Sequence, residues 1–255
     1  MCSRYSFNVS KVNLGFLGLK ETLVEKPVQQ VTPGQQVWLV RNNDQGIPEL
    51  VQAKWGLAPS WLKDFSRVQI NARVETAPDM RMFSSAWSDR RCLILADSYY
   101  QWHMPIHGLK ASHGLKASHG LKASHGLKAS HGLKASHGLK ASHGRNASHG
   151  RNASHGRNAS ENRRQLWQIG ARDHSLILMA GLWERYAVDS TLAFDSCAVL
   201  TMPVMPQLAP IAQRMPALLT TGNAANWLAG APFDLDSFSA PLTGFAFQCQ
   251  NILKR

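Results

Sequence analysis

Nowhere in these 255 residues is there an uninterrupted apolar run of about 18, the length a membrane-spanning helix needs, so a helical transmembrane protein is excluded. The opening residues, among them Ser3, Arg4, Ser6 and Asn8, hold no apolar signal-peptide core, and a cytoplasmic protein is expected. Cysteine is scarce. Cys2, Cys92, Cys197 and Cys249 lie far apart without a CxxC spacing, which argues against a disulfide framework and against a zinc site. Acidic residues are also few, 16 against 28 lysines and arginines, for a formal charge of +12.

That charge does not belong to the chain as a whole. From His107 to Ser160 the sequence is nine tandem hexapeptides, six of His-Gly-Leu-Lys-Ala-Ser and three of His-Gly-Arg-Asn-Ala-Ser, with nine basic residues, no acid and nine of the eleven histidines. The other 201 residues carry 19 basic and 16 acidic groups, only +3, so a claim of DNA binding must rest on where the arginines of that core sit. Each repeat offers one leucine or none, too little apolar surface to offset ordering entropy, and a glycine every sixth position opposes a helix. Residues 107–160 are therefore expected to be a disordered low-complexity insertion. A nonspecific basic arm, a stacked solenoid and a loose metal-binding tract are the alternatives. Residues 1–106 and 161–255 are expected to make one domain.

Alternating and continuous apolar runs predict strands at Gln36–Val40, Glu49–Trp55 (a hairpin with the first), Arg91–Leu95 and Cys197–Thr201. Gln165–Gly170 and Ser175–Gly181 read as a second strand pair joined at Arg172-Asp173-His174, and Phe245–Gln248 as a closing strand. Helices are predicted at Ser10–Leu19, Pro78–Trp87 and Thr221–Trp227.

Chemistry is concentrated at Met1-Cys2-Ser3-Arg4. Once methionine is removed, Cys2 presents an amine and a thiol on adjacent carbons. Such an aminothiol captures an aldehyde as an imine and closes to a thiazolidine without any cofactor. An α-amine titrates near about 8 and a free thiol near about 8.5, so part of each is nucleophilic at neutral pH. Arg4 favours the thiolate and attracts an anionic substrate. Trp61, in the loop after Trp55-Gly56-Leu57-Ala58-Pro59, either stacks on a nucleobase or packs in the core. In Ile70-Asn71-Ala72-Arg73-Val74-Glu75-Thr76, Asn71 is either a structural amide or a site residue. Arg73 is either a surface charge or a planar fork for phosphate, with Arg81 a weaker phosphate candidate.

These segments, with Ala96-Asp97-Ser98-Tyr99-Tyr100-Gln101-Trp102, Ala180-Gly181-Leu182-Trp183-Glu184 and Arg214-Met215-Pro216, resemble in order and spacing the SRAP family, the SOS-response-associated peptidases also described as abasic-site processing proteins. The resemblance implies a single α+β domain, a mixed and mainly antiparallel β core wrapped by short helices, acting as a monomer in the DNA damage response. It implies single-stranded DNA with an abasic site as partner, whose ring-opened sugar is an aldehyde, and a covalent cross-link at Cys2. Asn71 is then beside the cysteine, and Arg4, Trp61, Arg73, Arg81 and Arg214 face DNA. Removal of Met1 would be the family's autopeptidase step, although an aminopeptidase would serve equally. Two positions depart from the family pattern. Gln101 stands where a catalytic Glu is usual, and Ala212, in Ile211-Ala212-Gln213-Arg214, where a His is usual. A neutral amide cannot take and return a proton, so chemistry slower by about 10²- to 10⁴-fold is expected. The alternative is a catalytically degenerate paralogue that binds single-stranded or damaged DNA without a covalent step. His103 and His174 are expected at the surface.

Overall fold

The structure is a computed structural model and describes residues 2–8, 11–23, 28–103, 165–187 and 193–253. These belong to one compact unit, Met1–Pro105 together with Arg164–Arg255. The hexapeptide repeat, and every expectation placed on it, lies outside the described residues.

Strands dominate. In chain order they are β1 (Tyr5–Phe7), β2 (Lys11–Val12), β3 (Thr22–Leu23), β4 (Val28–Val31), β5 (Gln36–Asn42), β6 (Pro48–Trp55), β7 (Asn71–Arg73) and β8 (Arg91–Ala96). There follow β9 (Ser98–His103), β10 (Gln165–Ala171), β11 (Ile177–Ala187), β12 (Ala193–Pro203), β13 (Arg214–Pro216), β14 (Leu218–Leu219) and β15 (Phe247–Asn251). The helices are short: α1 (Ser84–Asp89), α2 (Thr221–Leu228) and α3 (Leu235–Ser239).

Five strands close on themselves. β12 pairs with β6, β6 with β5, β5 with β8, β8 with β11, and β11 returns to β12, a barrel that leaves none of these strands as a free edge. All these ladders are antiparallel except β12 with β6, and β7 adds a second parallel pairing on β12. A second sheet runs β15-β10-β9-β1-β4, antiparallel throughout. The expected α+β class with a mixed, mainly antiparallel core is the architecture found.

The sequence explains the barrel locally. Cys92-Leu93-Ile94-Leu95-Ala96 in β8 is apolar at consecutive positions because both faces of that strand are covered. The β5–β6 hairpin turns on Asn43, whose side-chain oxygen accepts from the backbone of Gln45 and Ile47, and on Gly46 at φ 75°. Gly181 in β11 admits no side chain: a Cβ there would lie 2.8 Å from Ile94 Cδ1, 2.9 Å from Cys92 Sγ and 3.1 Å from the Ala198 carbonyl.

Three local expectations need correction. The helix at 78–87 is a run of turns that becomes regular only at α1, where Ala86 and Trp87 are buried, whereas 78–81 are exposed and have no packing to sustain a helix. At 10–19 the described residues form β2 and one 3-10 turn at Gly15–Leu17, stopped by Gly18 at φ 75°. The strands at 165–170 and 175–181 exist but do not pair. β10 lies between β9 and β15, while β11 is in the barrel, and the turn carrying His174 at φ 58° passes the chain from one sheet to the other.

Candidate functional site

Three parts of the fold converge on Cys2. The segment Cys2–Arg4 runs into β1 alongside β9: Tyr5 is opposite Tyr99, and the Tyr100 amide donates to the Arg4 carbonyl at 2.9 Å. Ahead of Tyr5 the chain is no longer regular strand, and Cys2 turns into the same core cluster as Tyr5 and Tyr99. From the barrel side, β7 lies parallel to β12 and presents Asn71, whose Nδ2 donates to the Cys2 carbonyl at 2.8 Å. The expected neighbourhood of Asn71 and Cys2 is thus present as a direct hydrogen bond.

Cys2 itself is 1% exposed. Burial pushes its thiol up to about 12, with a weak 3.6 Å contact from Sγ to the Arg4 carbonyl pulling the other way. Tyr99 is also buried, and its phenol is raised first by burial and then by the charge of Cys2. Gln101 donates at 3.3 Å to the carbonyl of the next residue, Trp102, and its Oε1 has no protein partner. The Asn71 Oδ1 and the Tyr99 hydroxyl are likewise unpartnered. A buried polar atom left without a partner costs about 1–3 kcal/mol.

The arginines divide. Arg214 in β13 is fully engaged: its two terminal nitrogens each lie 2.8 Å from a Glu75 oxygen, and one donates at 2.6 Å to the Thr201 carbonyl. The Arg214 hydrogen bond holds the Glu75 carboxyl below its ordinary range, with Arg73 adding a smaller pull. Arg73, paired in register with Thr201 and exposed, stands beside this clamp. Trp61 is 43% exposed, and the Arg81 guanidinium lies over its ring at 4.6 Å, so these two form one cation–π unit on the surface. Arg4 is half-buried next to Cys2, and Ala212 is half-buried two residues before Arg214.

Sequence reasoning missed Glu75, which holds Arg214, and Tyr99, which shares the core cluster of Cys2; both lay inside the quoted segments, but neither residue type signals its partner. It also placed His103 at the surface. His103 is half-buried, with Nδ1 3.2 Å from the Ile211 carbonyl, because it ends a strand whose preceding alternate residues face inward. A separate recess of about 330 Å³ is lined by Ser6, Asn8, Asp97, Ser98, Gln168 and His174 among others. Ser6 and Ser98 face away from Tyr5 and Tyr99, so this recess lies on the other side of the sheet from the Cys2 cluster.

A closed barrel is flanked by a sheet whose first strand follows on Cys2, and an asparagine of the barrel holds the Cys2 carbonyl; this arrangement defines a mainly β fold in one compact unit. The chain belongs to the family of SOS response associated peptidases (SRAP), whose sequence model matches residues 1–132 and 155–255. Among curated proteins it is similar to abasic site processing protein YoqW of Bacillus subtilis (strain 168), 38% identical over 78 residues, 30% of this chain and 34% of that one. Abasic site processing protein YedK of Escherichia coli (strain K12) is 32% identical over 111 residues, 40% of this chain and 48% of the relative. Each of these alignments spans less than half the relative's length. The fold is similar to that of a solved phage-related protein from Bordetella bronchiseptica, with a TM-score of 0.60 at 16% identity over 98% of this chain and 94% of that one.

Proposed function

We propose that the protein processes abasic sites: freed of Met1, Cys2 captures the aldehyde of a ring-opened abasic sugar in single-stranded DNA and holds it as a thiazolidine cross-link. The observation that carries this reading is the Asn71 amide fixed on the Cys2 carbonyl at 2.8 Å, amid buried polar atoms that have no protein partner. Holding an aminothiol and an aldehyde in contact converts a slow bimolecular condensation into an intramolecular one. The names of the similar proteins agree with the substrate. Arg4, Arg73 and the Trp61–Arg81 unit supply charge and an aromatic face for a single strand. Arg214 acts on this reading through Glu75, shaping the wall of the site rather than gripping phosphate alone.

The test is purified full-length protein mixed with single-stranded abasic DNA and resolved on a denaturing gel. A shifted band that disappears in Cys2→Ala is expected; its absence in the wild type removes the reading. Intact-mass determination of the amino terminus belongs with it, because a retained Met1 blocks ring closure.

The second reading, non-covalent binding by a degenerate paralogue, is favoured by the buried, raised thiol and by Gln101 and Ala212 at two proton-transfer positions. It requires salt-sensitive DNA binding that Cys2→Ala leaves unchanged.

A further inference from the structure

The recess across the sheet from Cys2 is cut by one glycine. The strand registers set Ser6 of β1 opposite Ser98 of β9, Ser98 opposite Gly170 of β10, and Gly170 opposite Gln248 of β15. Residues opposite one another share a face of the sheet, so this row bears a side chain on three strands and none on the remaining one. With neighbouring strands about 4.8 Å apart, the notch over Gly170 spans about 10 Å from Ser98 to Gln248. The next row on the same face brings Gln168 opposite Gln250. A Cβ on Gly170 would lie 3.0 Å from the Asp97 carbonyl, so the glycine is what lets Asp97 approach β10.

The walls are polar. Gln168 Nε2 donates to Ser98 Oγ at 2.8 Å, and the Ser6 and Ser98 hydroxyl oxygens are 2.6 Å apart. This chain uses one of two hydroxyl hydrogens and leaves the other for a further acceptor. Asp97 Oδ2 accepts from the Asn8 amide. Burial raises the half-buried Asp97 carboxyl above its ordinary range, the mark of a carboxylate less hydrated than in water. Gln248 and Gln250 each bring an exposed amide, and His174, at the close of the Ala171–His174 turn, brings an imidazole.

These groups select among ligands. A phosphate, free or in a DNA strand, meets the Asp97 carboxylate and no lysine or arginine among the described lining residues. An apolar molecule would strip water from the hydroxyls and amides and replace none of their hydrogen bonds. A nucleobase finds no Phe, Tyr or Trp among the described lining residues to stack on. Neighbouring hydroxyls on one small ring suit the recess, because each can donate to a carboxylate or amide oxygen and accept from an amide or hydroxyl hydrogen. The volume of about 330 Å³ is at the low end for small-molecule sites. We propose that this recess is a binding site for an uncharged, hydroxyl-rich small molecule of monosaccharide size, separate from the Cys2 site. β1 and β9 carry the two sites on opposite faces, and the proposal stands apart from the reading of Cys2.

The test follows the side-chain amide signals of Gln168, Gln248 and Gln250 by nuclear magnetic resonance in full-length, ¹⁵N-labelled protein as D-ribose or D-glucose is added. Saturable shifts with a midpoint of about 1–10 mM are expected for at least one of the two sugars. Asp97→Asn should weaken binding about tenfold, since it removes a charged acceptor and keeps the shape. Gln248→Trp, at an exposed position of β15, fills the notch from outside the core and should abolish the shifts of Gln168 and Gln250. Ribose 5-phosphate should bind about tenfold more weakly than ribose, because its phosphate meets Asp97. Cys2→Ala should bind sugar as the wild type does, whatever becomes of DNA cross-linking. No saturable shift from either sugar up to about 100 mM, a limit well above the affinity expected of so small a ligand, overturns the proposal. So do equal shifts in a folded Gln248→Trp, tighter binding of ribose 5-phosphate than of ribose, and tighter binding of adenosine than of either sugar. If Asp97→Asn does not fold, Gln248→Trp decides.

Discussion

Cys2, to which the proposed chemistry is assigned, is among the residues the fold hides, 1% exposed with its thiol raised to about 12. At neutral pH only on the order of one such thiol in 10⁵ is ionised, so in the chain that retains Met1 the thiol should resist alkylation. Iodoacetamide treatment of the native protein followed by peptide mapping should modify the exposed Cys249 and spare Cys2, Cys92 and Cys197, with Cys2 labelling rising only as the pH climbs toward 12. Gln101 is the second residue where a single atom decides. Its unpartnered Oε1 sits on the strand beside the segment that carries Cys2, and Gln101→Glu places an acid–base group there at nearly the same volume. The expected outcome is cross-linking faster by about 10²-fold or more, read from a gel time course. That Gln101 falls in a motif segment was legible in the sequence; that Tyr99 and His103 share its face needed the strand to be seen, since only alternation along β9 puts them together.

Among the elements, β7 and β13 are short, and what ties them together at the end of β12 is one ion pair. Arg214 from β13 grips Glu75, just past β7, while its third contact is the Thr201 carbonyl of β12. The sign of its pH dependence follows from the direction of the shift. Glu75 is held below its unfolded value, so the pair stabilises the fold above about 4.5 and that stabilisation is lost as the pH falls through the lower folded value. Thermal melts from pH 7 down to pH 3 should therefore show a smaller acid-induced drop in Tm for Glu75→Gln than for the wild type. At the barrel, Gly181 is where β8, β11 and β12 approach closely. Gly181→Ala should destabilise by about 1–3 kcal/mol in urea unfolding, because the added methyl meets the Ala198 backbone as well as two side chains. The segment Ala180–Glu184, quoted as a family motif, is thereby mostly architecture: Glu184 pairs with Arg90 at 2.9 Å, and Trp183 carries the Arg41 guanidinium on its ring at 3.9 Å.

For the molecule as a whole, the halves that flank the hexapeptide repeat interleave in both sheets: β9 pairs with β10, and β8 with β11. Deleting residues 107–160 should leave the far-ultraviolet circular dichroism of the core and its cross-linking activity in place. It should also lower the salt dependence of DNA binding, since nine basic residues leave with the repeat. No described helix is long and apolar enough to cross a membrane. The sequence by itself determined the strand content, the family and the two departures at Gln101 and Ala212, because apolar periodicity and motif residues are local properties of the chain. Only the tertiary structure decided that Cys2 is buried, that Arg214 is spent on Glu75 and that His103 reaches Ile211, a residue 108 positions away, because burial and pairing are set by which strands become neighbours.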